Sequence, residues 1–368
     1  MLTSQAIIAD GKGKFSYEDI EVFPPGEDEV LVEVKASGIC HTDYDSVMHW
    51  EGPFIVGHEG AGVVLEVGEK VSHLKVGDRV ILNWAIPCGS CFQCLQGQTN
   101  ICERNSPVVH GGKWNAGHAD LDRTRFRDEG ILRSFNLGTM AQHTVVKAAA
   151  AIPFDTNISF APASIIGCGV MTGVGSVLNT AKVERGASVV VIGVGGVGLN
   201  IIQGAKISGA EQIIAVDRSA HRLQLSEEFG STYQVKVDDG EHVLDKVKAE
   251  VWQLTGRGAD YAFECTGVPA LGAAPLMMVR NAGMAVQVSG IEQDLTIDMN
   301  LFEWDKIYIN PLYGKCDPTK DFPQILEFYD QGRLKLDELI SKEYSPRDLH
   351  AAFDDMLNGR IAKGVITF

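Results

Sequence analysis

One stretch near the middle of the chain constrains the fold most. Val189-Val190-Val191-Ile192 is an unbroken β-branched run that ends in Gly193-Val194-Gly195-Gly196-Val197-Gly198. A helical run follows, then a second apolar run, Ile213-Ile214-Ala215-Val216, which ends in Asp217. These read as strand, tight turn, helix and strand. Glycines at such a turn let the backbone bend sharply and approach a pyrophosphate, which rests on the amide-rich, positive end of the helix. An acid about 20 residues further on can accept hydrogen bonds from a ribose diol. Gly-x-Gly-x-x-Gly alone is weak; between two strands, with a trailing acid, it points to a dinucleotide. The plainer alternative is a glycine-rich turn with no ligand.

From Ser188 to about Leu312 the sequence alternates strand and helix. Strands are expected over 188–192, 212–216, 261–265, 284–288 and 306–311, and helices over 198–209, 220–229, 242–255 and 270–281. That alternation predicts a parallel sheet covered on both faces. Upstream, short runs at 5–8, 30–37, 60–67 and 79–82 are separated by turns such as Pro24-Pro25-Gly26 and Val76-Gly77-Asp78. They read as a compact β-rich unit. The glycines of Gly57-His58-Glu59-Gly60-Ala61-Gly62 suggest backbone crowding beside a site. Residues 83–138 read mostly as loop. Their second part, 106–136, is either a solvated excursion or a flap over a substrate entrance. A strand at 142–146 and a helix from about 161 to beyond 173, spanning Cys168, come next. The tail carries helices near 321–331 and 346–357 and a last strand over 363–368.

A chain of 368 residues is too long for one compact core and suggests two domains. A net charge of −16 argues against a nucleic-acid backbone as partner. The first residues lack the basic head and apolar core of a signal peptide, and no apolar run approaches a membrane span. A cytoplasmic protein is expected by default.

Cys88-x2-Cys91-x2-Cys94-x7-Cys102 is the most specific signal after the nucleotide turn. Short spacings let one loop wrap a single ion with four thiolates, a closed set that suits structural zinc. An iron–sulfur cluster is the competing reading, although the fourth cysteine matches neither ferredoxin spacing. A second constellation is Cys40-His41-Thr42-Asp43, Gly57-His58-Glu59 and Gly167-Cys168-Gly169. Two cysteines and a histidine would leave one zinc position open for water or substrate, a set that resembles the one known from alcohol dehydrogenases. Singly, Cys168 could be a small core residue and His58 a hydrogen-bonded core histidine.

With these stretches together, the chain resembles the zinc-dependent medium-chain alcohol dehydrogenases along its whole length. Gly38-Ile39-Cys40-His41-Thr42-Asp43, Gly57–Gly62, the four-cysteine loop, Gly167-Cys168-Gly169-Val170-Met171-Thr172-Gly173 and Gly193–Gly198 with Asp217 carry the likeness. Thr124-Arg125-Phe126 and the Cys-His-Thr-Asp string are similar to the class III, thiol-linked formaldehyde branch; aryl-alcohol dehydrogenases share the frame. The resemblance implies an α/β protein: a Rossmann doubly wound parallel sheet at 170–312 and a β-rich, GroES-like catalytic domain from 1–169 and 313–368. It implies two zinc ions per subunit, with Cys40, His58 and Cys168 on the catalytic one and Cys88, Cys91, Cys94 and Cys102 on the structural one.

By the same resemblance Asp43 orients His58, Thr42 supplies a hydroxyl to the substrate alcohol, and Glu59 is a transient ligand or electrostatic modulator. His41, Arg222 and Lys363 meet the dinucleotide phosphates and ribose, Thr172 lies beside the nicotinamide, and Gly193, Gly195, Gly196, Val197 and Gly198 form the phosphate turn. Asp217 points to NAD, since a 2′-phosphate would meet a carboxylate there; neighbouring Arg218 weakens that preference slightly. A proton-relay histidine of some relatives is replaced by Asp45. Cys265 and Cys316 match no ligand position and read as packing residues. His49, Trp50 and Phe54 either wall a pocket for bulky or aromatic alcohols or pack the β domain. The implied reaction is oxidation of a primary alcohol to an aldehyde, and the reverse, in a homodimer or homotetramer that binds neither membrane nor nucleic acid. Two alternatives stay open: thiol-dependent formaldehyde oxidation, with loop arginines on a carrier, and a catalytically silent nucleotide-binding homologue.

Overall fold

The structure, a computed structural model, describes residues 1–109, 123–238, 243–291 and 293–368. It divides into two units: Met1–Cys168 with Asp317–Asp330 and Leu336–Phe368, and Gly169–Cys316 with Gln331–Lys335.

In the first unit the strands are β1 (Leu2–Ala9), β2 (Phe15–Val22), β3 (Glu29–Gly38), β4 (Phe54–Ile55), β5 (Glu59–Val67), β6 (Arg79–Leu82), β7 (Thr124–Phe126), β8 (Glu129–Gly130), β9 (Leu132–Arg133), β10 (His143–Lys147) and β11 (Ala151–Pro153). They form two sheets. One runs β8-β7-β2-β1-β4-β9; the other holds β11-β6-β5-β3, with β10 also on β3, and continues into two strands from the end of the chain. Ile7, Phe54, Val56, Tyr344 and Phe353 are in one core of this unit, and Ile8, Ile20, Ile55 and Val145 in another. Helix α1 (His41–His49) lies between β3 and β4 and was not expected; of its nine residues only Asp43, Ser46 and Val47 are buried, so it shows no apolar stripe. β2 was also missed; its adjacent acids Glu18 and Asp19, with Glu21 beyond, mask the period-two pattern.

The second unit holds a six-stranded parallel sheet. Its strands are β12 (Ser188–Ile192), β13 (Gln212–Asp217), β14 (Tyr233–Lys236), β15 (Ala259–Glu264), β16 (Val279–Gln287) and β17 (Ile307–Ile309). Their spatial order is β14-β13-β12-β15-β16-β17, the doubly wound order that reverses between β12 and β15. The expected alternation holds, with corrections. The helix expected over 161–173 is broken: a short helix (Phe160–Ser164) and a 3-10 turn (Ile165–Gly167) stop at Cys168, whose φ −150° and ψ −81° are not helical. A new helix starts at Gly169. Flanking Gly167 and Gly169 are poor helix formers, which lets the chain break there. The helix expected over 270–281 shrinks to Ala274–Met278, because Val279 already pairs with Ala259 in the sheet. The helix expected from 242 runs over Val243–Thr255; His242 lies outside the described residues. The chain returns to the first unit with helices Pro318–Asp330 and Leu349–Leu357 and strands β18 (Ile340–Tyr344) and β19 (Lys363–Thr367), the last paired with β3. No single helix among the described residues is long and apolar enough to cross a membrane.

Candidate active site and metal clusters

Strand register builds the first cluster. Gly38, the last residue of β3, pairs with Glu59, the first of β5. Cys40, just past one strand, and His58, just before the other, therefore fall side by side. β19 pairs with the same end of β3 through Val365 and Gly38, which brings in Lys363. Cys168 arrives from the helix break. One ligand atom each from Cys40, His58, Glu59 and Cys168 all lie within 4.8 Å of one another. A Cβ on Gly57, Gly60 or Gly62 would sit within 2.6 Å of a neighbouring atom, which bears out the expected crowding.

Asp43 holds this cluster from behind. Its Oδ1 accepts a hydrogen bond from His58 Nδ1 at 2.7 Å, and its Oδ2 accepts one from the Cys40 backbone N–H at 3.0 Å. The first contact turns His58 Nε2 toward the thiols, 3.3 Å from Cys168 Sγ; a carboxylate behind a ligating histidine fixes its tautomer and raises its basicity. Thr42 Oγ1 lies 3.7 Å from Cys40 Sγ. Burial disfavours a charged His58, yet the charge and hydrogen bond of Asp43, with help from Cys40, hold its pKa well above the ordinary value. The Cys40–Cys168 hydrogen bond splits the two thiols: Cys40 is held well below the usual thiol range, while that bond and burial push Cys168 well above it. Burial raises Glu59 to about 6 against the pull of Lys363. Lys363 was expected on the dinucleotide; here its Nζ donates to Glu59 Oε1 at 2.7 Å. Glu59 Oε2 is buried and has no hydrogen-bond partner. A soft, histidine-containing donor set with one orphaned buried oxygen fits zinc with a position left open.

The second cluster is local. The sulfurs of Cys88, Cys91, Cys94 and Cys102 also lie within 4.8 Å of one another. Backbone N–H groups donate to three of them: Cys91 to Cys88 at 3.3 Å, Cys94 to Cys91 at 3.5 Å and Asn105 to Cys102 at 3.4 Å. Desolvation pushes the Cys88 thiol up, but hydrogen bonds from the backbone of Ser90 and Cys91, with others beside them, together lower it to about 6, whereas burial raises Cys94 to about 12. Four thiol donors with no oxygen or nitrogen fit a closed zinc site.

In the second unit the glycine turn is formed as expected. Gly193 has φ +88°, and a Cβ on Gly198 would meet Gly193 O at 2.0 Å, so neither position admits a side chain. Gly195 caps the helix Gly196–Ser208, which Gly196 and Val197 open. Asp217 ends β13; its Oδ2 accepts from Val194 N–H at 2.9 Å and its Oδ1 from Ser219 N–H at 2.8 Å. Arg222 is in the first turn of the next helix, where its N–H is capped by Ser219 Oγ at 3.3 Å. Thr172 is half-buried in the helix Gly169–Gly175, and His41 is exposed at the start of α1. Cys316 is buried, and burial followed by the Glu264 charge raises the Cys265 thiol well above its usual range.

Sequence reasoning missed an aromatic group around His58. Phe135 packs against its ring at a tilt of 37° with centroids 4.8 Å apart, and Trp84 and Trp50 meet Phe135 at 5.4 Å and 5.3 Å. Phe135 and Asn136 both have positive φ, 52° and 59°; asparagine is a residue that favours this region, but nothing in the sequence announces it at Phe135. Phe54 is fully buried in the core and is a packing residue, while Trp50 is half-buried against both it and Phe135.

Fold and clusters define a two-unit metalloprotein with a dinucleotide turn. Residues 26–156 match the alcohol dehydrogenase GroES-like domain and residues 196–331 the zinc-binding dehydrogenase domain. The chain is 34% identical over 383 residues to an alcohol dehydrogenase class-3 of Cereibacter sphaeroides and 33% identical over 382 residues to an S-(hydroxymethyl)glutathione dehydrogenase of Paracoccus denitrificans, covering 100% of each chain in both cases. The crystal structure of benzyl alcohol dehydrogenase from Acinetobacter calcoaceticus superposes with a TM-score of 0.90 at 27% identity over 100% of both chains. The chain belongs to the zinc-dependent medium-chain alcohol dehydrogenases and is an NAD-dependent oxidoreductase of that family.

Proposed function

We propose that this enzyme oxidises a primary alcohol with an aromatic or bulky apolar body to its aldehyde, and catalyses the reverse. The observation that carries this reading is Phe135 packed against the ring of His58, with Trp84 and Trp50 packed in turn against Phe135. Aromatic faces beside the reacting centre favour a flat apolar substrate through stacking and area burial.

Cys40, His58 and Cys168 would hold the catalytic zinc, and Cys88, Cys91, Cys94 and Cys102 the structural one. Zinc, when bound, supplies Lewis acidity to the alcohol oxygen. Gly193–Gly198 and Asp217 would hold NAD, which would supply the hydride acceptor. Asp43 keeps the proton of His58 on Nδ1 and so presents Nε2 for ligation. Thr42 Oγ1 would accept the alcohol's proton while passing its own hydroxyl proton on toward water. Its helix α1 leads through exposed Asp45 to water. The buried Lys363–Glu59 pair sets the charge behind the cluster. The enzyme acts in the cytoplasm as a dimer or tetramer; the outer strand β17 at the sheet edge is the surface for such pairing.

A second reading is oxidation of a formaldehyde–thiol adduct, favoured by relatives named S-(hydroxymethyl)glutathione dehydrogenase. Against it, the loop arginines are engaged: Arg123 pairs with Glu29 at 3.0 Å, Arg125 lies over Phe23, Arg127 over Phe126, and Arg133 is buried on Val145 O. Asp120 and Asp122 of that loop lie outside the described residues. Nicotinamide reduction should be followed with benzyl and aliphatic alcohols, and with formaldehyde with and without glutathione or mycothiol, for NAD and NADP. Faster turnover of benzyl alcohol than ethanol, without thiol, is expected. Turnover only of formaldehyde with a thiol would move the assignment to the second reading.

A further inference from the structure

The second unit contains a buried acid that the phosphate turn and Asp217 leave unused. Glu264 is the last residue of β15 and is 0% exposed. Its Oε1 accepts from Thr266 N–H at 2.6 Å and from the Thr266 hydroxyl, and its Oε2 accepts from Gln287 Nε2 at 2.7 Å and from the Ser289 hydroxyl. The two hydroxyls are themselves occupied as acceptors, by Val268 N–H at 3.0 Å and Gly267 N–H at 2.9 Å. Every contact at both carboxylate oxygens is thus a donor, the arrangement that suits the ionised form. None of the ion pairs among the described residues includes Glu264. A buried negative charge is held by hydrogen bonds alone, and Tyr308, whose phenol is pushed up first by burial and then by this charge, feels it.

The position gives that charge a use. Thr266–Val268 and Ser289 follow the carboxyl ends of β15 and β16. In a doubly wound sheet, ligands bind outside those ends, at the point where the strand order reverses. Asp217 at the end of β13 takes the adenosine ribose, and the glycine turn after β12 takes the pyrophosphate. The remaining half of the cofactor, the nicotinamide, falls on the β15–β16 side. The oxidised nicotinamide ring is a cation and the reduced ring is neutral. We infer that Glu264 is a positioning residue that ties the two nicotinamide-side loops together and, through its buried charge, favours the oxidised cofactor over the reduced one.

The test is equilibrium binding, without turnover, of NAD by calorimetry and of NADH by fluorescence. NADH binding to the unchanged protein checks the cofactor assignment separately. Glu264→Gln keeps the size and removes the charge. It should weaken NAD roughly three- to tenfold while NADH moves less than twofold, the scale of one partly screened charge. Glu264→Asp keeps the charge and shortens the reach; it should weaken both forms together and leave their ratio intact. Gln287→Lys, which sets a cation against Oε2, should shift the ratio in the same direction as Glu264→Gln and decides the matter if that variant does not fold. Equal changes for both cofactor forms in the charge-altering variants, or no change in either, would overturn the inference.

Discussion

The two metal clusters are built by opposite strategies. The four-cysteine cluster is one loop wrapped on itself; its sulfurs are stabilised by the loop's own N–H groups, and Cys88 and Cys94 are part-exposed. The Cys40–His58–Cys168 cluster draws on three separate segments, is held by the side chains of Asp43 and Lys363, and carries an orphaned oxygen on Glu59. A closed local site has nothing left over for chemistry. A site assembled by strand register has buried groups whose charges depend on one another, and those can be tuned for a reaction. The contrast predicts that the four-cysteine cluster governs folding and the Cys40–His58–Cys168 cluster governs turnover.

The largest effect should come from the local cluster. Structural zinc–thiolate sites contribute about 10 kcal/mol of folding free energy in small domains, comparable to the whole stability of an ordinary domain. Cys91→Ser should therefore lower the melting temperature sharply and cut the soluble yield; an unchanged melting temperature would remove the distinction between the clusters. Next in size, Cys40→Ala should cost on the order of 10³-fold or more in kcat, because the metal's large lowering of the pKa of a bound oxygen is lost. Its melting temperature should stay close to that of the parent. Asp43→Asn keeps the shape but cannot accept from both His58 and Cys40 in the same way, and should cost about 10- to 100-fold in zinc affinity or activity.

Titration sharpens the same contrast. In the zinc-free protein His58 binds its proton more tightly than an ordinary histidine. That proton contributes stability below about pH 6.5, and the contribution is lost as pH rises through the raised value. Zinc must displace the same proton, so zinc uptake at this cluster should tighten with rising pH across that window. A flat zinc affinity from pH 6 upward would count against it. The smallest effect is expected from Asp45→Ala, which should slow alcohol oxidation by a few-fold at lower pH; a pH–rate profile identical to the parent would exclude Asp45 from the proton path.

What could be read in advance follows the same division. The tetracysteine loop and the glycine turn are local patterns, so spacing and order alone carry them. The other cluster was readable only by resemblance, since no spacing rule links Cys40, His58 and Cys168; strand register does, and register is a product of folding. The break at Cys168 was hidden because its helical surroundings outweigh two glycines. Phe135 was hidden for another reason: a bulky residue at positive φ has no sequence signature of its own, and it packs there against His58, Trp84 and Trp50. Lys363 was placed on the dinucleotide by analogy, while the structure engages it with Glu59.

The most direct test is zinc content per chain, measured on the purified parent, on His58→Ala and on the parent after mild chelation, with melting temperature recorded for each. Two distinct clusters predict two zinc ions in the parent and one in His58→Ala, with a nearly unchanged melting temperature. Chelation should remove activity before it lowers that temperature. One zinc ion in the parent, or loss of both from His58→Ala, would contradict the separation of a folding site from a catalytic one.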